Sequence, residues 1–195
     1  YKRQVYPSED LQTAAVRVLE ELTGLRNVYL EQVRTFGAAN RHPFGRVITV
    51  AYFSLIKIAD YKLQPAGIAK KAKWLPISEV TNLPFDHSQI LNACFEMLKR
   101  LARTRPVGFE LLPPKFTLTE LQHLYEAILE VPLDKRNVRK KILSMNLLID
   151  LDESQEGVAH RPARLYRFDK GKYEEFLSEG FNFEVKESKG KMKVG

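Results

Sequence analysis

Cysteine is almost absent from this 195-residue chain: Cys94 stands alone, so it can form no internal disulfide and no thiolate cluster to anchor zinc. Long apolar runs are absent too. The longest, Val47 to Ile56, reaches about half of the ~20 residues that a bilayer-spanning helix needs. The start, Tyr1-Lys2-Arg3-Gln4, lacks the apolar core of a secretory leader, and a soluble cytoplasmic protein is expected. With only 10 Gly and 10 Pro, collagen-like and low-complexity chains are excluded, and 44% hydrophobic residues exclude disorder. Histidines 42, 123 and 160 are too scattered for a metal triad, and neither a metal nor a cofactor is expected. What the chain does have is positive charge, 31 Lys+Arg against 24 Asp+Glu, which fits a polyanionic partner once the charge is located.

The chain divides at Arg105-Pro106-Val107-Gly108-Phe109-Glu110-Leu111-Leu112-Pro113-Pro114, where three prolines and a glycine in ten residues exclude a long helix. The aliphatic residues in this stretch suggest a linker docked on a domain. The expected division is 1–106, a linker 107–116, and 117–195. In the first block, Ser8 to Thr23 is expected as a helix capped by Ser8, with Leu11, Ala14, Ala15, Val18, Leu19 and Leu22 inward and Gly24 closing it. Strands are expected around Val28 to Phe36, Arg46 to Ile56 and Lys71 to Leu75, the last carrying Trp74 into the core. Asp86 is expected to cap a helix reaching about Arg103. Helix, strands and helix in that order give a mixed α/β layer.

The second block opens on Thr117-Leu118-Thr119-Glu120, a capping box in which Thr and Glu satisfy each other's terminal amides. Its helix reaches Leu129 with Leu118, Leu121, Tyr125 and Ile128 inward. Asp134 caps a second helix, Asn146 ends it, and strands follow at Leu147 to Asp152 and Ala163 to Phe168. Two helices joined by a short turn and followed by a hairpin are the plan of a winged helix-turn-helix. On the second helix Val138, Ile142 and Met145 form the buried stripe. Lys135, Arg136, Arg139, Lys140 and Lys141 place five cations in seven residues. At 100° per residue Arg136, Asn137, Lys140 and Ser144 point away from the stripe. Cations serve phosphates, and an Arg and an Asn can pair bidentately with guanine and adenine. His160, Arg161 and Arg164 are candidate phosphate or minor-groove contacts in the wing, and the tail from Lys186 to Lys193 is expected as a solvated end.

Val16-Arg17-Val18-Leu19-Glu20-Glu21-Leu22-Thr23-Gly24-Leu25 resembles the second half of a Nudix box, Arg-Glu-aliphatic-x-Glu-Glu-x-Gly-aliphatic. Enzymes of that family bind Mg²⁺ through those glutamates to cleave pyrophosphates. Aligned on Gly24, the three glutamates fall on Val18, Glu21 and Leu22. Two of the three are apolar, and Glu21 alone should not hold Mg²⁺. The glycine-rich first half of the box is missing, and residues are suspected absent before Tyr1 and between Pro7 and Ser8. The segment from Phe36 through Arg46 to Tyr52, together with Trp74-Leu75-Pro76-Ile77 and Leu83-Pro84-Phe85-Asp86-His87, looks like landmarks of ADP-ribose-type Nudix proteins.

A degenerate Nudix domain followed by a winged helix is similar to the Nudix-related transcriptional regulators, closest to the arabinose-responsive members. The resemblance implies an α+β chain, a Nudix-type mixed α/β sandwich followed by a winged helix. It implies a non-enzymatic repressor that senses a pentose such as L-arabinose or an ADP-ribose-like nucleotide. The expected partners are double-stranded operator DNA, the small-molecule effector and a second copy in a homodimer. The expected effector contacts are Lys2, Arg3, Glu21, Arg41 and Arg46; the expected DNA contacts are Lys135, Arg136, Asn137, Arg139, Lys140, Arg161 and Arg164. The competing reading is a pyrophosphohydrolase for ADP-ribose-type substrates with an accessory basic domain.

Overall fold

The structure, a computed structural model, describes residues 4–66, 69–159 and 161–178. Lys2, Arg3, His160 and the tail from Lys186 to Lys193 lie outside the described residues. The chain forms two compact units, Tyr1–Met97 and Leu98–Gly195. No described helix is long and apolar enough to cross a membrane.

The first unit opens with a turn. The Tyr6 amide donates to Glu9 Oε1 at 2.8 Å and the Glu9 amide to the Tyr6 carbonyl at 3.2 Å. Because the turn takes up Ser8 and Glu9, helix α1 spans Leu11–Thr23, and its cap is Asp10, whose carboxylate accepts from the Thr13 amide at 2.7 Å. Of the expected inward stripe, Ala14 is buried, Val18, Leu19 and Leu22 are half-buried, and Leu11 is exposed. Strands β1 (Glu31–Phe36) and β2 (Thr49–Phe53) pair antiparallel, with an irregularity between Gln32 and Thr35. Both are shorter than expected.

No strand forms at residues 71–75; among the described residues β1 and β2 pair only with each other and offer the segment no partner. Trp74 is accordingly 41% exposed rather than in the core. Helix α2 spans His87–Thr104. Its residues Ile90, Leu91, Cys94 and Met97 are half-buried, and Leu98, Leu101 and Ala102 are fully buried. The division between the two units falls within this helix.

In the second unit the proline-rich stretch is docked. Phe109–Leu111 forms one 3-10 turn, and the buried Phe109 ring stacks on Phe168 at 4.1 Å and leans on Phe116 at 5.9 Å. Gly108, at φ 86, starts that turn and lies close beneath Leu124 and Ile128, where a side chain would crowd them. Helix α3 (Leu118–Leu129) carries the complete capping box of Thr117 and Glu120, and Leu118, Leu121, Tyr125 and Ile128 are buried as expected. Glu126 closes the connection to the next helix. Its carboxylate accepts from the Leu133 amide and the Gln122 amide nitrogen, each at 2.9 Å, and these bonds hold it below its ordinary pKa.

Helix α4 (Lys135–Ser144) is capped by Asp134, and Asn146 follows in a left-handed turn at φ 54. Strands β3 (Leu148–Ser154) and β4 (Arg164–Phe168) form the antiparallel hairpin. Phe116 adds a bridge to Tyr166, exchanging amide–carbonyl bonds of 3.0 and 2.8 Å. Helix α5 (Lys170–Ser178) had no counterpart in the sequence reading; the Asp169 carboxylate caps it by accepting from the Lys172 amide at 3.1 Å.

Candidate functional site

In the first unit, a cavity of about 940 Å³ lies along one side of α1. Gln12, Thr13, Val16, Arg17, Glu20 and Glu21 line it from the helix, and Gln64 and Ala66 from the opposite wall. The wall is held to the C-terminus of α1 by its backbone: the Gln64 amide donates to the Thr23 carbonyl at 2.8 Å and the Ala66 amide to that of Glu21 at 3.0 Å. These bonds satisfy carbonyls that a helix end leaves open.

Arg17 organises the cavity's polar side. Its Nε and Nη2 reach both Glu9 oxygens at 2.9 and 2.6 Å, Nη2 also donates to the Gln4 carbonyl at 2.9 Å, and the guanidinium lies 4.0 Å from the Tyr6 ring centroid. The Arg17 hydrogen bonds hold the Glu9 carboxyl below its ordinary range, and Glu9 in turn raises Arg17. Glu21 receives a looser contact of 3.4 Å from the same guanidinium. With half-buried Val18 and Leu22 beside it, Glu21 has no acidic neighbours at the matching box positions. Among the described residues no cluster of three His, Cys, Asp or Glu could hold a metal ion.

The sequence placed Arg41 beside Arg46 as a ligand contact, and in the structure the two have different surroundings. Arg46 is exposed. The Arg41 side chain is 5% exposed; its Nε and Nη2 meet the two Asp86 oxygens at 2.7 and 2.8 Å, and its Nη1 donates to Thr49 Oγ1 at 2.6 Å. Its donors are directed at Asp86 and Thr49, which fastens the loop between β1 and β2 to the start of α2. Asp86 stands immediately before α2, where its carbonyl accepts from the Ile90 amide at 3.2 Å, and its carboxylate is taken by Arg41 and held below its ordinary pKa. The aromatic rings of His42 and Phe85 lie 4.9 Å apart beside this pair, and Phe44 is 88% exposed. Sequence spacing could not pair two residues 45 positions apart.

In the second unit α4 presents the basic face. Lys135, Arg136, Asn137, Lys140, Lys141 and Ser144 are exposed, while Val138, Ile142 and Met145 are buried beneath them. Arg139 is set apart: it is half-buried, its Nη2 contacts Thr119 Oγ1 at 3.3 Å, and its Nε is buried without a hydrogen-bond partner. It ties α4 to α3 more than it faces solvent. The sequence reading passed over Leu143, which is 43% exposed. On a helical wheel it lies between Arg139 and Arg136.

The wing is less basic than the helix. Arg161 is exposed, but Arg164 pairs with Asp150 at 2.7 Å. The Asp152 amide and the Arg164 guanidinium both hold the Asp150 carboxyl below its ordinary range. Glu153 is paired with Lys115. On α4, by contrast, Lys135, Arg136, Lys140 and Lys141 stand exposed within seven positions of one helix.

A winged helix preceded by a Nudix-type unit is the class this fold defines, and comparisons agree. The profile of the NrtR DNA-binding winged helix domain matches residues 108–168. The chain is 37% identical over 162 residues to the "ADPR responsive transcriptional repressor NtrR" of Acinetobacter baylyi, covering 82% of this chain and 64% of that protein. It thus spans somewhat less than two thirds of that relative. The crystal structure of Shewanella oneidensis NrtR superposes with a TM-score of 0.70 at 31% identity, over 90% of this chain and 78% of that one. The same protein complexed with a 27mer DNA gives 0.72 at 29% identity, over 92% and 80%. A MutT/nudix family protein from Enterococcus faecalis shares the fold at 23% identity and a TM-score of 0.67, over 84% and 70%. The chain belongs to the NrtR family of Nudix-related transcriptional regulators.

Proposed function

We propose that this chain is a DNA-binding transcriptional repressor whose first unit senses an ADP-ribose-like nucleotide without hydrolysing it. The observation that carries the reading is the exposed basic face of α4, with Arg136, Asn137 and Lys140 opposite a buried Val138, Ile142 and Met145. Only that face can enter a groove while the helix stays packed. The functional division proposed is a sensor at 1–106, a linker at 107–116 and a reader at 117–195. Two copies would bind a two-fold operator as a homodimer.

Two observations favour a nucleotide over a pentose. The relative in Acinetobacter baylyi is named for its response to ADPR. The cavity along α1, about 940 Å³, is at the upper end of the roughly 300–1,000 Å³ typical of ligand pockets, room for far more than one sugar ring. Glu21 lines this cavity, and Arg46 on its exposed loop is the second proposed contact. The absence of turnover follows from Val18 and Leu22, which supply no oxygen to a metal.

The test is a gel-shift titration on a duplex enriched by the protein from a random library, with and without ADP-ribose. Salt-sensitive binding that ADP-ribose weakens supports the reading. Indifference to DNA at low salt removes the reader assignment, and Mg²⁺-dependent release of AMP lost in Glu21→Gln restores the hydrolase reading.

A further inference from the structure

Helix α4 carries one apolar side chain that its packing does not use. Val138, Ile142 and Met145 complete the buried stripe, and the buried Leu147 continues the core beyond the helix. Leu143 lies outside that stripe and is exposed. For helix formation alone, lysine, arginine or glutamine would serve at this position about as well and would stay wetted. A single leucine on a protein surface is ordinary. Its address makes this one informative.

Around the helix Leu143 falls about 20° from Arg136 and about 60° from Lys140, at about 100° per residue. Both cations are exposed, and α4 contains no acid. A helical side chain leans toward the start of its helix, so Leu143 covers the turn that carries Arg139 and Lys140. An apolar tip set among cations suits a duplex better than an apolar protein face, which would strip water from the cations without pairing them. A duplex, in turn, offers a leucine little. The base edges of the major groove are hydrogen-bonding groups, apart from the C5 methyl of thymine. Leucine neither donates nor accepts, so against any other base edge it would displace water and give nothing back. Leu143 stands seven residues after Arg136, about 10.5 Å along the axis. That length corresponds to about three steps of 3.4 Å along a duplex.

We infer that Leu143 is a specificity-determining residue that packs on a thymine methyl in the major groove, about three base pairs from the base that Arg136 faces. This contact, which rests on the proposed reader function, adds a thymine to what the exposed face of α4 selects. Arg136 and Asn137 read hydrogen-bonding edges, whereas Leu143 reads a methyl group.

The experiment uses the full chain and the duplex that it enriches from a random library, with deoxyuridine replacing thymine at each position in turn. Deoxyuridine lacks the methyl and keeps every hydrogen-bonding group. Leu143→Ala removes the apolar tip, and alanine preserves the helix and leaves the buried stripe untouched. Leu143→Met keeps an apolar tip of similar volume. The unsubstituted protein is expected to lose about fourfold in affinity at one thymine, the worth of one buried methylene-sized group. Leu143→Ala should lose at least as much on the thymine duplex and be indifferent to deoxyuridine at that position. Its binding to a scrambled duplex should stay within about twofold of the parent, because the phosphate contacts remain. Leu143→Met should stay sensitive to the methyl. Equal binding of the unsubstituted protein to thymine and deoxyuridine at every position overturns the inference and leaves the reader function standing. A methyl effect that persists in full in Leu143→Ala also overturns it, since another side chain then reads the methyl. Indifference of the unsubstituted protein to DNA at low salt sinks the reader function, and the inference with it.

Discussion

Gly24 shows how much one residue can be asked to do. It ends α1 at φ 77, and a Cβ there would lie 2.5 Å from the Gln64 carbonyl oxygen. A left-handed residue with a side chain costs roughly 1–2 kcal/mol by itself, and the Gln64 backbone cannot yield without giving up its bond to Thr23. Gly24→Ala is therefore expected to lower stability by more than about 2 kcal/mol, measured as a shift in the urea midpoint, and to reduce ADP-ribose affinity because the same segment walls the cavity. An unchanged midpoint would mean that the wall moves freely.

Asp86 supplies a second test at this scale. Its carboxyl is held below its ordinary value of 3.8 by Arg41, so the folded state binds that proton less readily than the unfolded chain does. Its contribution is complete above that ordinary value and is lost as pH falls through the lowered folded one. Asp86→Asn should flatten the fall of stability with pH below about 4, leaving the remainder to Glu9, Asp10, Glu126 and Asp150, which are lowered in the same direction. Denaturation midpoints across an acid series decide it; parallel curves for the two proteins would show that the pair does not survive in solution.

At the scale of elements, α4 makes two kinds of contact separable. Lys140→Ala should weaken binding to every duplex and reduce the salt dependence by about one unit, as for one lost phosphate contact. Arg136→Ala or Asn137→Ala should cost about 1–3 kcal/mol on the enriched duplex and much less on a scrambled one. Arg164→Ala should cost less than Lys140→Ala, because Asp150 already neutralises part of that charge. Equal losses on both duplexes for all these variants would leave specificity to DNA shape. The helix that places these side chains depends in turn on α3, whose capping box holds Thr117 and Glu120 together at 3.1 Å and 2.7 Å.

For the whole molecule, ligand and DNA should be readable apart. ADP-ribose at 100 times its dissociation constant should add roughly 2.7 kcal/mol of stability. Lys140→Ala should leave that gain intact, whereas Arg46→Ala should diminish it without changing DNA affinity in the absence of ADP-ribose. Thermal unfolding with and without the nucleotide checks both. A loss of the gain in Lys140→Ala would place the nucleotide on the second unit instead.

The winged helix was legible residue by residue because its signals are local. The capping box, the Asp134 cap, the left-handed Asn146 and the stripe of Val138, Ile142 and Met145 each depend on neighbours within a few positions. Helical periodicity alone set Arg136, Asn137 and Lys140 outward. Other features depended on segments far apart in the chain. Arg41 became a buried partner of Asp86 because the fold brings positions 41 and 86 together. Trp74 stayed exposed because no strand lay beside its segment, and a strand without a partner cannot satisfy its backbone. Arg139 turned toward Thr119, and Arg164 toward Asp150, because charge in a sequence does not say which carboxylate or hydroxyl will stand next to it. Local periodicity and capping chemistry thus determined the helices and their faces, while the pairings across long sequence separations, which depend on where the backbone returns, were decided only by the tertiary structure.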